Sequence, residues 1–330
     1  MRILEYIEAI ESGKNKVNTK AVVMTSPGEL SLREVVLRDL AAGDVVVDVH
    51  YSGISTGTEK LFWNGKMPPF PGMGYPLVPG YESTGEVVSA DKSTGFKPGD
   101  FVFVPGADCF SEHVRSLFGG AAKRVASPAK RLIKIDSTMG VNGALFALAA
   151  TARHAIAGFG NKMPEVIVGH GVLGRLLARL VVLAGEKPPI VWENDPLRHA
   201  GATGYEVMLP EVDQRSDYEC IFDVSGDSGI LDKLIGRVRK GGEIVLAGFY
   251  PEKLSFGFPQ AFLKEISMRV AAEFLPEDVA TTKLLIEDGS LSFDDLVSDV
   301  LPVEKAEEAY NIAFNKSECL KMVLDWRDAA

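Results

Sequence analysis

The segment Glu165-Val166-Ile167-Val168-Gly169-His170-Gly171-Val172-Leu173-Gly174 decides the fold. Val166, Ile167 and Val168 form a run of β-branched residues suited to a buried strand, and the glycines after them have the spacing G-x-G-x-x-G. Residues 172–184, VLGRLLARLVVLA, then place apolar side chains at helical spacing. A bare G-x-G-x-x-G says little, but between a strand and a helix it marks a dinucleotide-binding βα turn. Gly169 permits the tight turn, Gly171 lets the backbone approach a pyrophosphate, and Gly174 lets helix and strand pack closely. The turn residues Gly169, His170, Gly171, Val172, Leu173 and Gly174 are therefore expected to cradle the phosphates, which sit on N–H groups at a helix N-terminus. His170 holds a variable position and reads either as a solvent-facing side chain or as a catalytic one.

Downstream, Pro189-Ile190-Val191-Trp192 reads as a second strand, and Glu193 ends it nineteen residues after Gly174. A carboxylate at that point hydrogen-bonds the adenosine ribose and repels a 2′-phosphate, which favours NAD over NADP. Asn194 adjoins it, and Arg198 is the nearby residue that would instead accept a 2′-phosphate. Residues 219–224 (ECIFDV) and 243–247 (EIVLA) read as further strands, with a helix at 229–239 between them. Strands alternating with helices make βαβ units and a parallel sheet. Ligands collect at the carboxyl ends of such strands, which adds Ser225, Gly226, Ala247, Gly248 and Phe249 to the cofactor contacts. Gly241-Gly242 reads as the turn before a strand. A late helix at 303–315 and a last strand at 320–325 follow.

Before about residue 140 the texture differs. Strands are expected at 19–27, 44–51, 84–89 and 101–104, separated by Gly- and Pro-rich turns, as in a small β-barrel. Residues 63–80 are so rich in proline and glycine that no regular element is expected, and a loop of that length is read as functional, with a surface excursion as the plain alternative. An Ala-rich helix at 142–158 opens the second half. A chain of 330 residues suits two domains. Its net charge of −10 makes nucleic acid or an anionic lipid surface a poor partner. Three scattered cysteines supply neither a disulfide framework nor a four-cysteine zinc lobe, which predicts a reducing, cytoplasmic setting. No run approaches the roughly 18 apolar residues of a membrane span. The first residues carry acid inside their apolar stretch, so a short amphipathic helix is expected there rather than a signal peptide.

With this order of elements, the chain resembles the medium-chain dehydrogenase/reductase superfamily over about residues 19–327. The resemblance implies an α/β protein: a GroES-like β-barrel catalytic domain (18–145) after an extension (1–17), a Rossmann doubly wound parallel sheet (146–285), and a return to the catalytic domain (286–330). Zinc-dependent members carry a Cys in a first segment, which reads Gly53-Ile54-Ser55-Thr56-Gly57-Thr58-Glu59 here. Their Gly-His-Glu reads Gly80-Tyr81-Glu82, and their third ligand falls near Ala147, ahead of Thr151-Ala152. Only Glu82 survives of that pattern, and one carboxylate cannot hold zinc, so no metal is expected. Residues 52–82, SGISTGTEKLFWNGKMPPFPGMGYPLVPGYE, are similar to the branch that oxidises a 3-(1-hydroxyethyl) group to 3-acetyl on a bacteriochlorophyll precursor. That implies a tetrapyrrole substrate, NAD as cofactor, and a homodimer formed along the edge of the Rossmann sheet at residues 254–274.

Without a metal, the resemblance assigns the proton chemistry to side chains. Thr58 matches the family's relay toward the cofactor ribose. Tyr81 or Glu82 accepts the alcohol proton, directly or through water. A tyrosine needs a nearby cation to act as base, and Lys60 is the closest in sequence. Ser55 adds a hydroxyl. Each has a plain rival: Glu82 as a buried carboxylate paired with a base, Tyr81 as filler of the vacated hole, Ser55 as an inert replacement. Thr151 is expected at the nicotinamide amide or in a helix N-terminal role, and His50, His113, His154 and His199 are read as structural. The Met67–Met73 loop and Phe256, Phe258 and Phe262 are candidates for an apolar slot, with core packing as the rival, and Lys60, Lys66 or Arg153 for a substrate propionate. Two other functions stay open: a zinc-free quinone or enoyl reductase using NAD(P)H, and a non-catalytic pigment- or dinucleotide-binding protein.

Overall fold

Strand β3 (Asp44–Gly53) anchors the N-terminal half. Its Val45, Val46, Val47 and Val49 are all buried, because strands pack on it from both sides. Ahead of it lie β1 (Asn18–Ser26) and β2 (Glu29–Val36); after it come helix α1 (Thr58–Trp63), β4 (Leu77–Val78), β5 (Ser83–Ala90), β6 (Phe101–Val104), β7 (Arg115–Ser116), β8 (Arg124–Pro128) and β9 (Ile133–Lys134). A computed structural model describes residues 17–69, 72–111, 113–116, 118–157 and 162–329. The helix expected before Val17 lies outside them.

The chain divides into two units. The first holds everything up to Leu145 together with Asp299–Phe314 and the chain from Lys321; the second holds Phe146–Ser298 and Asn315–Leu320. In the first unit one sheet runs β2-β1-β4-β7, and β3 pairs antiparallel with both β5 and β8. The expected loop at 63–80 is not wholly irregular: β4 lies inside it, pairing with Met24 of β1. Strands β2 and β8 escaped the sequence reading because their polar residues break the apolar run that signals a strand.

In the second unit α2 (Phe146–Ala157) follows a 3₁₀ segment at Ser137–Leu145, so the Ala-rich helix begins later than its composition suggests. Then come β10 (Val166–Val168), α3 (Val172–Leu183), β11 (Ile190–Trp192), β12 (Glu206–Met208), β13 (Tyr218–Asp223), α4 (Leu231–Arg237), β14 (Val238–Leu246), α5 (Phe258–Lys264), β15 (Ser267–Val270) and α6 (Pro276–Glu287). Six parallel strands run in the order β12-β11-β10-β13-β14-β15, the doubly wound arrangement. The strand order reverses between β10 and β13, which is where such sheets bind ligands. Gly241-Gly242 lie within β14 rather than in a turn before it. The pairing jumps from Tyr218–Val238 to Cys220–Glu243, and the bulge is taken up at Gly241, whose φ is +70°.

The return to the first unit starts at Asp299, later than the expected 286. Arg179 on α3 donates to the carbonyls of Ser292 and Asp294, and Leu291, Phe293 and Leu296 are buried, which keeps that segment with the second unit. After it, β16 (Asp299–Pro302), α7 (Ala306–Asn315) and β17 (Met322–Asp325) complete the first unit. β17 pairs parallel with β16 and antiparallel with β3, and the Ile54 N–H bonds the Met322 carbonyl at 2.9 Å. This brings Lys321 beside Gly53 and Ile54.

A buried network fixes the second unit's core. Asp213 accepts from the Trp192 indole at 2.8 Å, the Tyr218 hydroxyl at 2.5 Å and the Arg215 N–H at 2.9 Å. Burial pushes the Asp213 carboxyl up, but these three donors outweigh it and the net shift is downward. Asp213→Ala would strand the buried indole and phenol and is expected to lower stability by about 2–4 kcal/mol in urea unfolding. Because the folded carboxyl titrates below its unfolded value, its contribution is present above the ordinary carboxylate range and is lost as pH falls through it.

Candidate active site and nucleotide cradle

The glycines of the βα turn meet the demands placed on them. Gly169 has φ +104°, and a Cβ on it would approach the Ser225 Cα to 3.3 Å. A Cβ on Gly174 would fall 1.9 Å from the Gly169 carbonyl oxygen, so helix and turn touch there. A Cβ on Gly171 would meet nothing within 4 Å, so space over that backbone is open. Gly171 is the N-cap of α3 and supplies no side-chain cap, which leaves the first helical N–H groups for a ligand. Val172 is buried and Leu173 half-buried beneath them.

Glu193 sits at the end of β11 and is held rigidly. Its Oε2 accepts the His170 N–H at 2.9 Å and its Oε1 the Asp195 N–H at 2.9 Å, with exposed Asn194 between them in sequence. His170 is fully buried, which corrects both readings of it. Its Nδ1 lies 2.6 Å from the Arg198 carbonyl and its Nε2 2.8 Å from the Tyr205 hydroxyl. Burial lowers its pKa to about 4, so the ring is neutral: Nδ1–H donates to the carbonyl and Nε2 accepts from the phenol. Only its backbone faces the cradle chemistry. Arg198 donates through Nε to the Ser317 carbonyl at 2.9 Å. Ser225 and Phe249 are exposed, and the Ala247 and Gly248 N–H groups both bond the Asp223 carbonyl. A Cβ on Gly248 would lie 3.2 Å from the Gly226 nitrogen. The three loops after β10, β13 and β14 therefore adjoin, and together they fit a dinucleotide. Thr151 lies half-buried in mid-helix, not at a helix N-terminus.

In the first unit, Ser55, Thr58, Tyr81 and Glu82 come together. The Ser55 Oγ and Tyr81 hydroxyl are 2.6 Å apart, the Thr58 N–H reaches Ser55 Oγ at 3.3 Å, and Phe118 stands edge-on to the Tyr81 ring at 5.0 Å. Burial and the neighbouring Glu82 and Glu59 carboxyls hold the Tyr81 phenol far above its usual range. Tyr81 is thus a neutral hydroxyl rather than a base. Lys60 does not supply the expected cation, since its Nζ donates to the Phe314 carbonyl at 2.6 Å.

A buried cation does stand in this unit: Lys321, only 3% exposed, pairs with Glu82 and donates to the Ile54 carbonyl at 3.1 Å. Gly53 is obligatory beside them, because a Cβ there would lie 2.8 Å from Lys321 Cε and 2.9 Å from Glu82 Oε2. Glu59 on α1 is wholly buried and accepts the Tyr310 hydroxyl at 2.8 Å on Oε2; burial pushes its pKa up to about 8. These donors do not fit zinc. Two neutral hydroxyls bonded to each other replace thiolate and imidazole, and the carboxylate beside them is spent on an ammonium; among the described residues no group of three or more His, Cys, Asp or Glu is arranged to hold a metal ion.

Residues 41–137 match the alcohol dehydrogenase GroES-like domain. The chain is 58% identical over 313 residues to 2-desacetyl-2-hydroxyethyl bacteriochlorophyllide A dehydrogenase of Rhodobacter capsulatus, covering 95% of this chain and 100% of that one. The chain belongs to that dehydrogenase family. A second member, from Cereibacter sphaeroides, is 55% identical over 318 residues, again across 95% of this chain and all of its own. The L-idonate 5-dehydrogenase of Escherichia coli shares the fold, with a TM-score of 0.80 at 19% identity over 94% of this chain and 99% of that one. As a member of the bacteriochlorophyllide dehydrogenase family, the chain is an oxidoreductase of the alcohol dehydrogenase type.

For this dehydrogenase, the sequence found the hydroxyls and Glu82 but missed Glu59, Tyr310 and Lys321. Glu59 stood inside the quoted first segment, and a lysine flanked by Leu320 and Met322 in an apolar strand was a readable anomaly. Among the cations considered for a propionate, Arg153 pairs with Asp278, while Lys66 is exposed. His154 bonds Asp278 and His199 the Glu193 carbonyl, as structural residues do. Phe256, Phe258 and Phe262 are exposed, which removes core packing as their explanation.

The glycine geometry separates two variants. Gly174→Ala should cost about 1–3 kcal/mol in denaturant unfolding, as overpacking does. Gly171→Ala should leave stability nearly unchanged yet weaken nicotinamide dinucleotide binding measured by calorimetry, because its new methyl enters open space over the cradle.

Proposed function

We propose that the chain catalyses the NAD-dependent oxidation of the 3-(1-hydroxyethyl) group of a bacteriochlorophyllide to 3-acetyl, without zinc and in the cytoplasm. The near full-length identity to bacteriochlorophyllide dehydrogenases carries this reading, and the hydroxyl pair where zinc ligands would stand supports its metal-free form. When bound, the nicotinamide takes the hydride from the carbinol carbon. Tyr81, a neutral phenol tied to Ser55, is suited to hydrogen-bond the substrate oxygen as it changes from hydroxyl to carbonyl. Thr58 orders Ser55 through its N–H and provides the relay hydroxyl. The carbinol adjoins a conjugated macrocycle, which eases the charge that zinc would otherwise meet. The fixed Glu193 carboxylate favours NAD, since a 2′-phosphate would meet a charge that two backbone N–H groups hold in place. The Met67–Met73 loop and exposed Lys66 are assigned to the macrocycle and its propionate. A homodimer is assigned to the edge of the parallel sheet, where β15 and exposed Phe258, Phe262, Leu263 and Val270 present an apolar face.

Three measurements test this. Protein, NAD⁺ and 3-hydroxyethyl bacteriochlorophyllide a should give a red-shifted pigment band with matching NADH, unchanged by a metal chelator; pigment binding without turnover would reduce the protein to a binder. Tyr81→Phe should lower kcat by about 10²-fold or more, the scale of a lost proton-handling group. Glu193→Ala should shift the NAD-to-NADP ratio of kcat/KM toward NADP by about tenfold, the effect of roughly 1.4 kcal/mol.

A further inference from the structure

Two carboxyl groups, Glu59 and Glu82, lie 0% and 1% exposed in the first unit, and each has one oxygen, Oε1, without a hydrogen-bond partner. Their other oxygens are engaged: Tyr310 from α7 donates to Glu59 Oε2, and Lys321, just before β17, pairs with Glu82 Oε2. The titratable groups that face Glu59 are therefore Tyr310, Glu82, Lys321 and the Tyr81 phenol, whose own proton affinity Glu59 raises. With both carboxyls ionised, this buried cluster would carry two negative charges against one ammonium, and two acceptor oxygens would lack a donor. A buried uncompensated charge is expelled by protonation. A single proton on Glu59 brings the cluster to neutrality.

We propose that Glu59 is the proton store of the site: a neutral carboxylic acid in the resting protein that gives up its proton before oxidation and, once ionised, takes the alcohol's proton by way of the Tyr81–Ser55 hydroxyl pair. The role in turnover rests on the dehydrogenase reading above; the protonation itself does not. In the oxidation, the carbinol C–H bond breaks with its electron pair passing to the nicotinamide, which is reduced, and the C=O bond forms. The O–H proton moves onto the hydroxyl pair as that pair passes its own proton to ionised Glu59. Only the ionised store can accept, so dehydrogenation should rise as pH passes upward through about 8, while ketone reduction should draw on the protonated form below it. Glu59 lies in the first turn of α1, directly after Thr58, whose N–H reaches the Ser55 Oγ at 3.3 Å.

Infrared difference spectroscopy of the whole protein tests the first half without any activity. Below about 8, the wild type should show a protonated-carboxyl carbonyl stretch that shifts in D2O, fades well above about 8, and is missing from E59Q. Y310F removes a donor that favours the ionised form, so the same band should persist to higher pH. Absence of the band at neutral pH, its presence in E59Q, or a midpoint that Y310F leaves unmoved would overturn the proposal. The pH profile of kcat tests the second half: the rise through about 8 should be present in the wild type and flattened in E59Q. A band that behaves as described with a rise that survives E59Q would overturn the role in turnover. A wild type with the band and no turnover on the pigment would instead sink the dehydrogenase reading alone.

Discussion

The ion pair between Lys321 and Glu82 is the constraint on which the first unit's site depends. It joins residues 239 positions apart and is almost fully withdrawn from water. Such a pair costs desolvation that its mutual attraction barely offsets, but losing one partner leaves a bare buried charge worth about 3–5 kcal/mol of destabilisation. The pair therefore ties β17 to the segment that carries Ser55 and Thr58. It also explains Gly53, whose missing side chain is the space that the Lys321 methylene and the Glu82 carboxylate occupy. The Gly53 N–H in turn bonds the Glu82 carbonyl at 2.9 Å, so backbone and side-chain contacts fix the same two residues.

The second unit achieves rigidity by different means. Its nucleotide cradle is made of backbone, and side chains act from behind it. Glu193 grips the His170 N–H, His170 is locked between the Arg198 carbonyl and Tyr205, and Arg175 donates to the carbonyls of both His170 and Arg198. A carboxylate with two fixed N–H partners is held in place by the loop's own hydrogen bonds.

What was legible in the sequence follows from the range of each interaction. The strand–turn–helix around Gly169 and the strand ending at Glu193 are local, and their residues fell where periodicity placed them. The hydroxyl cluster was found because two short segments, around Ser55 and Tyr81, each keep a recognisable spacing. Lys321 and Tyr310 were not found, because only tertiary folding carries α7 and β17 to the first segment. His170 was misread for the opposite reason: a variable position in a loop motif suggests exposure, while the Arg198 and Tyr205 partners that bury it come from the next turn of chain. The strand β12 and the bulge at Gly241 are short departures that a periodic signal of a few residues cannot resolve.

Hydroxyls where zinc-dependent members carry metal ligands change the electrostatics of the buried cluster. A divalent ion would have tolerated the surrounding carboxyls as ionised neighbours; a lysine neutralises only one. Glu82 takes that one charge, so Glu59, equally buried, cannot afford its own, and burial pushes it up to about 8. Burial, and after it the neighbouring carboxyls, keeps Tyr81 a phenol. A neutral hydroxyl is the wrong group to remove a proton outright but the right one to pass it on while holding the substrate oxygen. With one buried ammonium paired to Glu82, the charge balance of the cluster sets Glu59 apart from Glu82.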